Sequence, residues 1–270
     1  MKDRIVLVTG AASGIGAATV ERLAQDGATV LAFDCDGAAL TALAARCSVA
    51  RSGGNVAPTG GVVTTVEGDV GSQADVDRAM ATAAAVGGLH GLVNAAGVVA
   101  EDHPEDVQDS TWERMLAITL TGTMRMGRAG LPLLRAAGGG AIVNVASVAA
   151  FNASPGSASY APAKAAVLAY TRNIALVHGR DGIRANCLCP GWTRTAMAER
   201  EMADAAARSG SSVEAEFGAL AERLALGRIA RPEEMASCIR FLLGDEASFV
   251  TGAVLVADGG GRVSLPMRPA

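Results

Sequence analysis

Short β-branched runs and longer Ala- and Leu-rich segments take turns along almost the whole chain, and few folds accommodate that rhythm. Ile5–Val8, Thr29–Phe33, Val62–Glu67, Gly91–Val93, Ala141–Val145, Arg184–Leu188 and Ala253–Val256 read as seven strands. Ala17–Gln25, Ala38–Arg46, Gln73–Val86, Trp112–Ala137, Ser159–His178 and Pro232–Leu243 read as the helices among them. This βαβα order predicts a doubly wound α/β fold: a seven-stranded parallel sheet flanked by helices, with ligands beyond the carboxyl ends of the strands. Only 3% of residues are aromatic. The core must therefore be built from Ala, Val, Leu and Ile, which suits parallel strands covered on both faces. Residues 1–270 fit a single dinucleotide-binding and catalytic domain.

Other function classes lose support on charge and spacing. The net charge is −4 and the Lys and Arg residues are scattered, so nucleic-acid binding has no electrostatic basis. No apolar run reaches 18 residues, which excludes a membrane-spanning helix, and the first strand begins too early for a leader to precede it; a soluble, cytoplasmic protein is expected. The five cysteines lack CxxC spacing, and His90, His103 and His178 lie far apart, so neither disulfides nor a metal site is expected. Ser110 followed by Glu113 reads as a capping box opening the fourth helix, and Gly138-Gly139-Gly140 as its end. Ser48–Gly61 reads as a surface loop. The segment Ala196–Leu226, interrupted by Gly210, Ser211 and Ser212, reads as a substrate lid.

The first strand runs directly into Thr9-Gly10-Ala11-Ala12-Ser13-Gly14-Ile15-Gly16, where a helix begins. A glycine-rich turn lets backbone N–H groups and the positive end of a helix approach a pyrophosphate closely. Gly10, Ser13, Gly14, Ile15 and Gly16 are the candidate phosphate cradle. Asp34 ends the second strand twenty positions beyond Gly14, where a carboxylate can bind the adenosine ribose hydroxyls. It would repel a 2′-phosphate, and neither Ser13 nor Cys35 supplies a compensating charge, so NAD is favoured over NADP. Asp69, with Val70 beside it, follows the third strand and is placed to accept a hydrogen bond from the adenine amino group.

Tyr160 and Lys164 stand near the start of a helix at i, i+4 spacing, on one face. A free phenol has a pKa of roughly 10. A neighbouring ammonium favours the phenolate, which would make Tyr160 a general acid and base. Taken in order, Thr9–Gly16, Asp69, Asn94-Ala95-Ala96-Gly97, Ser147, Tyr160 with Lys164, and Pro190-Gly191 resemble the short-chain dehydrogenase/reductase pattern, over almost the whole chain.

The resemblance implies a Rossmann fold, a nicotinamide cofactor and interconversion of a secondary alcohol and a ketone by hydride transfer. It implies that Ser147 orients the substrate oxygen, Tyr160 moves the proton, and Lys164 holds the nicotinamide ribose while tuning the tyrosine. Asn94, Ala95, Ala96 and Gly97 would support the sheet and approach the cofactor, with Ala95 replacing the family's second Asn. Pro190, Gly191, Thr193 and Thr195 would clasp the nicotinamide end, either threonine meeting the carboxamide or the phosphates. Trp192 either walls the substrate pocket or packs under the lid.

Thr119 stands where the family usually carries an Asn in a proton relay from the lysine, so the relay is expected to pass through Thr119 or nearby water. The Ala-rich lid and the Ala149–Gly156 segment suggest a small or medium, mostly apolar alcohol or ketone substrate. A homo-oligomer, dimer or tetramer, is implied, through the helices at Trp112–Ala137 and Ser159–His178 and the final strand and tail. Two alternatives stay open: an NADPH-dependent 3-oxoacyl thioester reductase, against which Asp34 counts, and a non-catalytic cofactor-binding regulatory or scaffold protein, for which only Thr119 speaks.

Overall fold

The structure, a computed structural model, describes residues 1–52, 61–152 and 155–262. The seven expected strands form: β1 (Ile5–Thr9), β2 (Thr29–Asp34), β3 (Val63–Glu67), β4 (Gly91–Asn94), β5 (Gly140–Val145), β6 (Ile183–Pro190) and β7 (Val254–Ala257). They build one sheet in the order β3-β2-β1-β4-β5-β6-β7, and each neighbouring pair is parallel. The helices are α1 (Gly14–Gln25), α2 (Gly37–Ser52), α3 (Gln73–Ala85), α4 (Asp109–Leu116), α5 (Thr123–Ala136), α6 (Tyr160–His178), α7 (Ala196–Ser209), α8 (Val213–Ala221) and α9 (Pro232–Leu243). Because α2 runs on to Ser52, the first part of the expected Ser48–Gly61 loop is helical; residues 53–60 lie outside the described residues.

All five residues of β1 are buried, since helices cover both faces of the sheet. Strand side chains alternate between those faces. Val6 and Val8 therefore join Val20 and Leu23 of α1, Leu40 and Leu43 of α2 and Ile239 and Leu242 of α9 in one cluster. Ile5 and Leu7 point the other way, into a second cluster with Val76 of α3, Met126 and Leu134 of α5 and Ile174 of α6. Successive strands lie on opposite sides of β1, with β2 on one and β4 on the other. That is the switch point at which a crevice opens beyond the strand ends.

Two expectations about the fourth helix fail. It starts at Asp109 after Gln108, so Ser110 lies inside the first turn and caps nothing. It is also not one α-helix: Ala117–Gly122 widens into a π-helical segment between α4 and α5. Gly122 faces Val70 there, and a Cβ on it would lie 2.7 Å from Val70 Cγ2. At the far end Gly138 and Gly139, at φ +84 and +123, turn the chain back into β5. The lid segment is a pair of helices, α7 and α8, joined through Gly210 at φ +74. No helix among the described residues is long and apolar enough to cross a membrane. The five cysteines are free, and Cys47, Cys187 and Cys189 are buried.

Candidate active site

The glycine loop is held against the neighbouring turn more tightly than a side chain would allow. A Cβ on Gly10, where φ is +64, would lie 2.7 Å from the Ala96 nitrogen, and one on Gly16 would lie 2.0 Å from the Gly10 oxygen. Gly14, at φ +53, opens α1 directly beneath Thr195, whose Cγ2 would be 3.1 Å from a Cβ there. Ser13 precedes the helix without capping it through its side chain, so the first-turn N–H groups of α1 keep their donors for a ligand. Asp34 reaches back from β2, accepting from the Ala12 N–H at 2.9 Å and the Asp36 N–H at 3.1 Å. Asp69 accepts from the Gly71 N–H at 2.7 Å. Val70 beside it is buried. A Cβ-free cradle at a helix N-terminus with a carboxylate at the next strand end suits a dinucleotide.

Thr9 and Asn94 face each other at the ends of β1 and β4. The Thr9 hydroxyl accepts from the Ala95 and Ala96 N–H groups, both at 3.2 Å, which fixes the turn up to Gly97. Asn94 donates through Nδ2 to Asn144 Oδ1 at 2.8 Å, and Asn144 donates in turn to Thr171 Oγ1 at 2.8 Å. Asn94 Oδ1 is buried without a hydrogen-bond partner among the described residues. Replacing the family's second Asn by Ala95 costs this arrangement nothing, because it uses backbone donors.

Ser147, Tyr160 and Lys164 come together beyond β5. Ser147 follows the strand by two residues, accepts from the Ala149 N–H at 3.1 Å, and lies near enough to Tyr160 to favour its phenolate. Lys164 is buried one turn further along α6 and donates to the Val145 carbonyl at 2.9 Å. Its Nζ stands 5.6 Å from the Tyr160 ring centroid and 3.5 Å from where a Cβ of Gly97 would be.

The charges do not behave as the sequence suggested. Burial pushes the Tyr160 phenol up to about 12, against the lowering effect of the Ser147 hydrogen bond, and the Glu201 carboxylate on α7 adds to the rise. Burial also brings Lys164 down to about 8. Desolvation of both groups outweighs the expected lowering of the phenol by the ammonium.

Thr119 is buried in the π segment, where its hydroxyl lies 3.7 Å from Met115 Sδ and its carbonyl accepts from the Thr123 hydroxyl at 2.8 Å. No hydrogen bond joins it to Lys164. Pro190 and Gly191 end β6, and a Cβ on Gly191 would collide with Asp258 Cα at 2.7 Å. Thr193 is buried and bonds to the Gly191 carbonyl at 3.2 Å. Thr195 is the N-cap of α7 and accepts from the Ala198 N–H at 3.2 Å. Trp192 packs with Ala198, Met202 and Phe217, under the lid.

One positioning residue was hidden in the sequence. Asp102, which the sequence did not single out, is 7% exposed. Its carboxylate accepts from the Ser159 N–H at 3.0 Å and from the Ser159 hydroxyl, immediately before Tyr160. A carboxylate at the N-terminus of α6 also complements the helix dipole.

A sequence profile of the family described as Enoyl-(Acyl carrier protein) reductase matches residues 10–261. The chain is 39% identical over 261 residues to cis-4-hydroxycyclohexanecarboxylate dehydrogenase of Sinomonas cyclohexanicum, covering 96% of each. Its fold superposes on the crystal structure of levodione reductase with a TM-score of 0.90 at 31% identity, covering 98% of this chain and all of the other. Against L-sorbose reductase from Gluconobacter frateurii, solved with NADPH and L-sorbose, the TM-score is again 0.90, at 27% identity and 98% coverage of both chains. Joined to the parallel sheet and the order of motifs along it, these matches show that the chain belongs to the short-chain dehydrogenase/reductase family of oxidoreductases.

Proposed function

We propose that the chain interconverts a secondary alcohol and a ketone with NAD(H), using Ser147, Tyr160 and Lys164. The observation that carries this reading is the convergence of three side chains beyond β5: Ser147 acts on the Tyr160 phenol, and buried Lys164 lies 5.6 Å from its ring centroid. Bound beside them, the nicotinamide supplies the hydride acceptor or donor. Ser147 and Tyr160 then hold the substrate oxygen between two hydroxyls. Tyr160, protonated at neutral pH, donates to the oxygen as negative charge develops in the reductive direction, and takes that proton back in oxidation. The Lys164 ammonium stabilises the phenolate left behind. The adenosine end is assigned to Gly10, Ser13–Gly16, Asp34, Asp69, Val70 and Asn94–Gly97, and the nicotinamide end to Pro190, Gly191, Thr193 and Thr195 with Tyr160 and Lys164.

Asp34 supports NADH because a carboxylate at the end of β2 would repel a 2′-phosphate. The structural relative solved with NADPH makes the opposite preference a competing reading. Titration with NADH and NADPH, followed by absorbance assays of coenzyme reduction across secondary alcohols, tests both. Tighter NADH binding, with turnover falling by a factor of at least about 10² in Tyr160→Phe, is expected. Tighter NADPH binding would refute the use of Asp34, and full activity in Tyr160→Phe would refute the catalytic assignment. Exposed apolar side chains on α6, Leu176 and Val177, and on α4, Trp112, support the expected homo-oligomer; a monomer at micromolar concentration in ultracentrifugation would count against it.

A further inference from the structure

A cavity of about 480 Å³ opens beside the catalytic lysine, between α4, the turn after β4 and the lid helix α7; its lining includes Gly97, Ala100, Thr111, Arg114, Met197 and Arg200. The size suits a small organic ligand. Gly97 joins it to the reacting centre, since Lys164 Nζ lies against that residue. Arg114 of α4 and Arg200 of α7 both line the cavity.

Neither guanidinium forms an ion pair or hydrogen bond among the described residues, whereas the arginines around them are engaged. Arg194 is paired with Glu199 and Glu214, and Arg208 with Glu101. The acid next to Arg200, Glu201, feels the Arg200 charge without bonding to it and also acts on Tyr160. Ser110 and Thr111, at the first turn of α4, add hydroxyls to the lining. Two planar cations without a hydrogen-bonded acid among the described residues, hydroxyl donors and apolar walls from Val98, Met115 and Met197 make a receptor for an anion carried on a compact apolar body.

We infer that this cavity selects an alcohol or ketone bearing a carboxylate or sulfonate distal to the reacting carbon, with Arg114 and Arg200 holding the anionic group. The expected small or medium, mostly apolar substrate thereby gains one anionic group. The selectivity follows from the chemistry of the pair: a planar carboxylate accepts from a guanidinium fork, while a neutral amide of the same shape leaves both cations unsatisfied. The catalytic half of the inference rests on the dehydrogenase reading above; the anion site itself does not.

The test compares cyclohexanecarboxylate with cyclohexanecarboxamide, by calorimetry at low salt on the full chain with excess NAD. The same pair bearing a 4-hydroxyl group serves as substrates. The acid is expected to bind at least about tenfold tighter than the amide, and its hydroxylated form to have the lower KM. Arg114→Ala and Arg200→Ala should each erode the preference, their combination should bring the acid-to-amide ratio near one, and Arg200→Lys should keep part of it. Equal binding of acid and amide by the parent protein overturns the inference without recourse to any variant, as does a preference that survives removal of both arginines. If neutral alcohols are oxidised but the acid has no advantage, the anion site falls and the dehydrogenase reading stands. If the acid binds through the arginines but no alcohol is oxidised with either coenzyme, the site stands and the dehydrogenase reading falls.

Discussion

Replacing Lys164 by methionine should make the free protein more stable at neutral pH while removing a residue the proposed chemistry uses. The side chain is 5% exposed, and its ammonium is brought from 10.5 down to about 8 by burial. At ~1.36 kcal/mol per pH unit, that displacement corresponds to about 3 kcal/mol by which the charged form weakens the fold. Methionine fills similar space without charge but strips the Val145 carbonyl of its donor, a loss of about 1 kcal/mol. A net gain of about 2 kcal/mol at pH 7 follows, or roughly 4–8 °C in Tm for a chain of this size.

The sign of the pH dependence is fixed by linkage. Below pH 8 the lysine is protonated in both folded and unfolded chains, and the full penalty acts. Between pH 8 and 10.5 the unfolded chain binds more protons than the folded one, so the parent protein gains stability as pH rises while the variant does not. The two stability curves should cross between about pH 9 and 10. Urea titrations of both proteins at pH 7, 8, 9 and 10, at one protomer concentration and without coenzyme, measure this. A variant less stable than the parent at pH 7, or a difference that stays flat over the range, refutes the reasoning.

Three further outcomes are expected. Asp34→Ala removes the carboxylate that accepts from the Ala12 and Asp36 N–H groups; the NADH-to-NADPH affinity ratio should fall at least about tenfold by fluorescence titration, since about 1.4 kcal/mol of preference corresponds to that factor, and an unchanged ratio would show that discrimination lies elsewhere. Asp102→Ala deprives Ser159 of both acceptors; a loss of about 1.5–3 kcal/mol in denaturant stability, with kcat lowered more than KM, is expected, and Asp102→Glu should recover part of kcat. Thr119→Ala should reduce turnover most where proton transfer limits the rate, and a pH profile identical to the parent's would remove Thr119 from the relay.

The central strands were legible because they are buried on both sides. Val6 and Val8 need one apolar cover, Ile5 and Leu7 another, and the result is a continuous β-branched run that water-facing alternation would have broken. The glycine loop and the Tyr160–Lys164 pair were equally readable, since both depend on spacing within one turn of chain. The π segment was not, because its widening accompanies the approach of Gly122 to Val70, a contact between residues far apart in sequence. Asp102 was missed for a related reason: its partner Ser159 lies 57 positions away, and nothing local distinguishes it from the acids beside it. Ser110 and Glu113 had the right spacing for a cap but lost the helix start to Asp109. Arg114 and Arg200 are ordinary surface arginines until α4 and α7 are set on either side of one cavity.

The same distinction between local and tertiary cause governs the electrostatics. Sequence shows that a lysine neighbours a tyrosine, but the tertiary fold determines how much water either retains. Here both lose enough for the ammonium to fall to about 8 and the phenol to rise to about 12, so each is destabilised in its charged form. In the proposed mechanism, transfer of the tyrosine's proton to a substrate oxygen produces the one state in which those two charges face each other across the ring and the low-dielectric surroundings strengthen their attraction. A site arranged in this way weakens the resting fold at Lys164 and recovers the interaction only as the phenolate forms, which is the condition for an interaction to lower a barrier rather than merely hold a ground state.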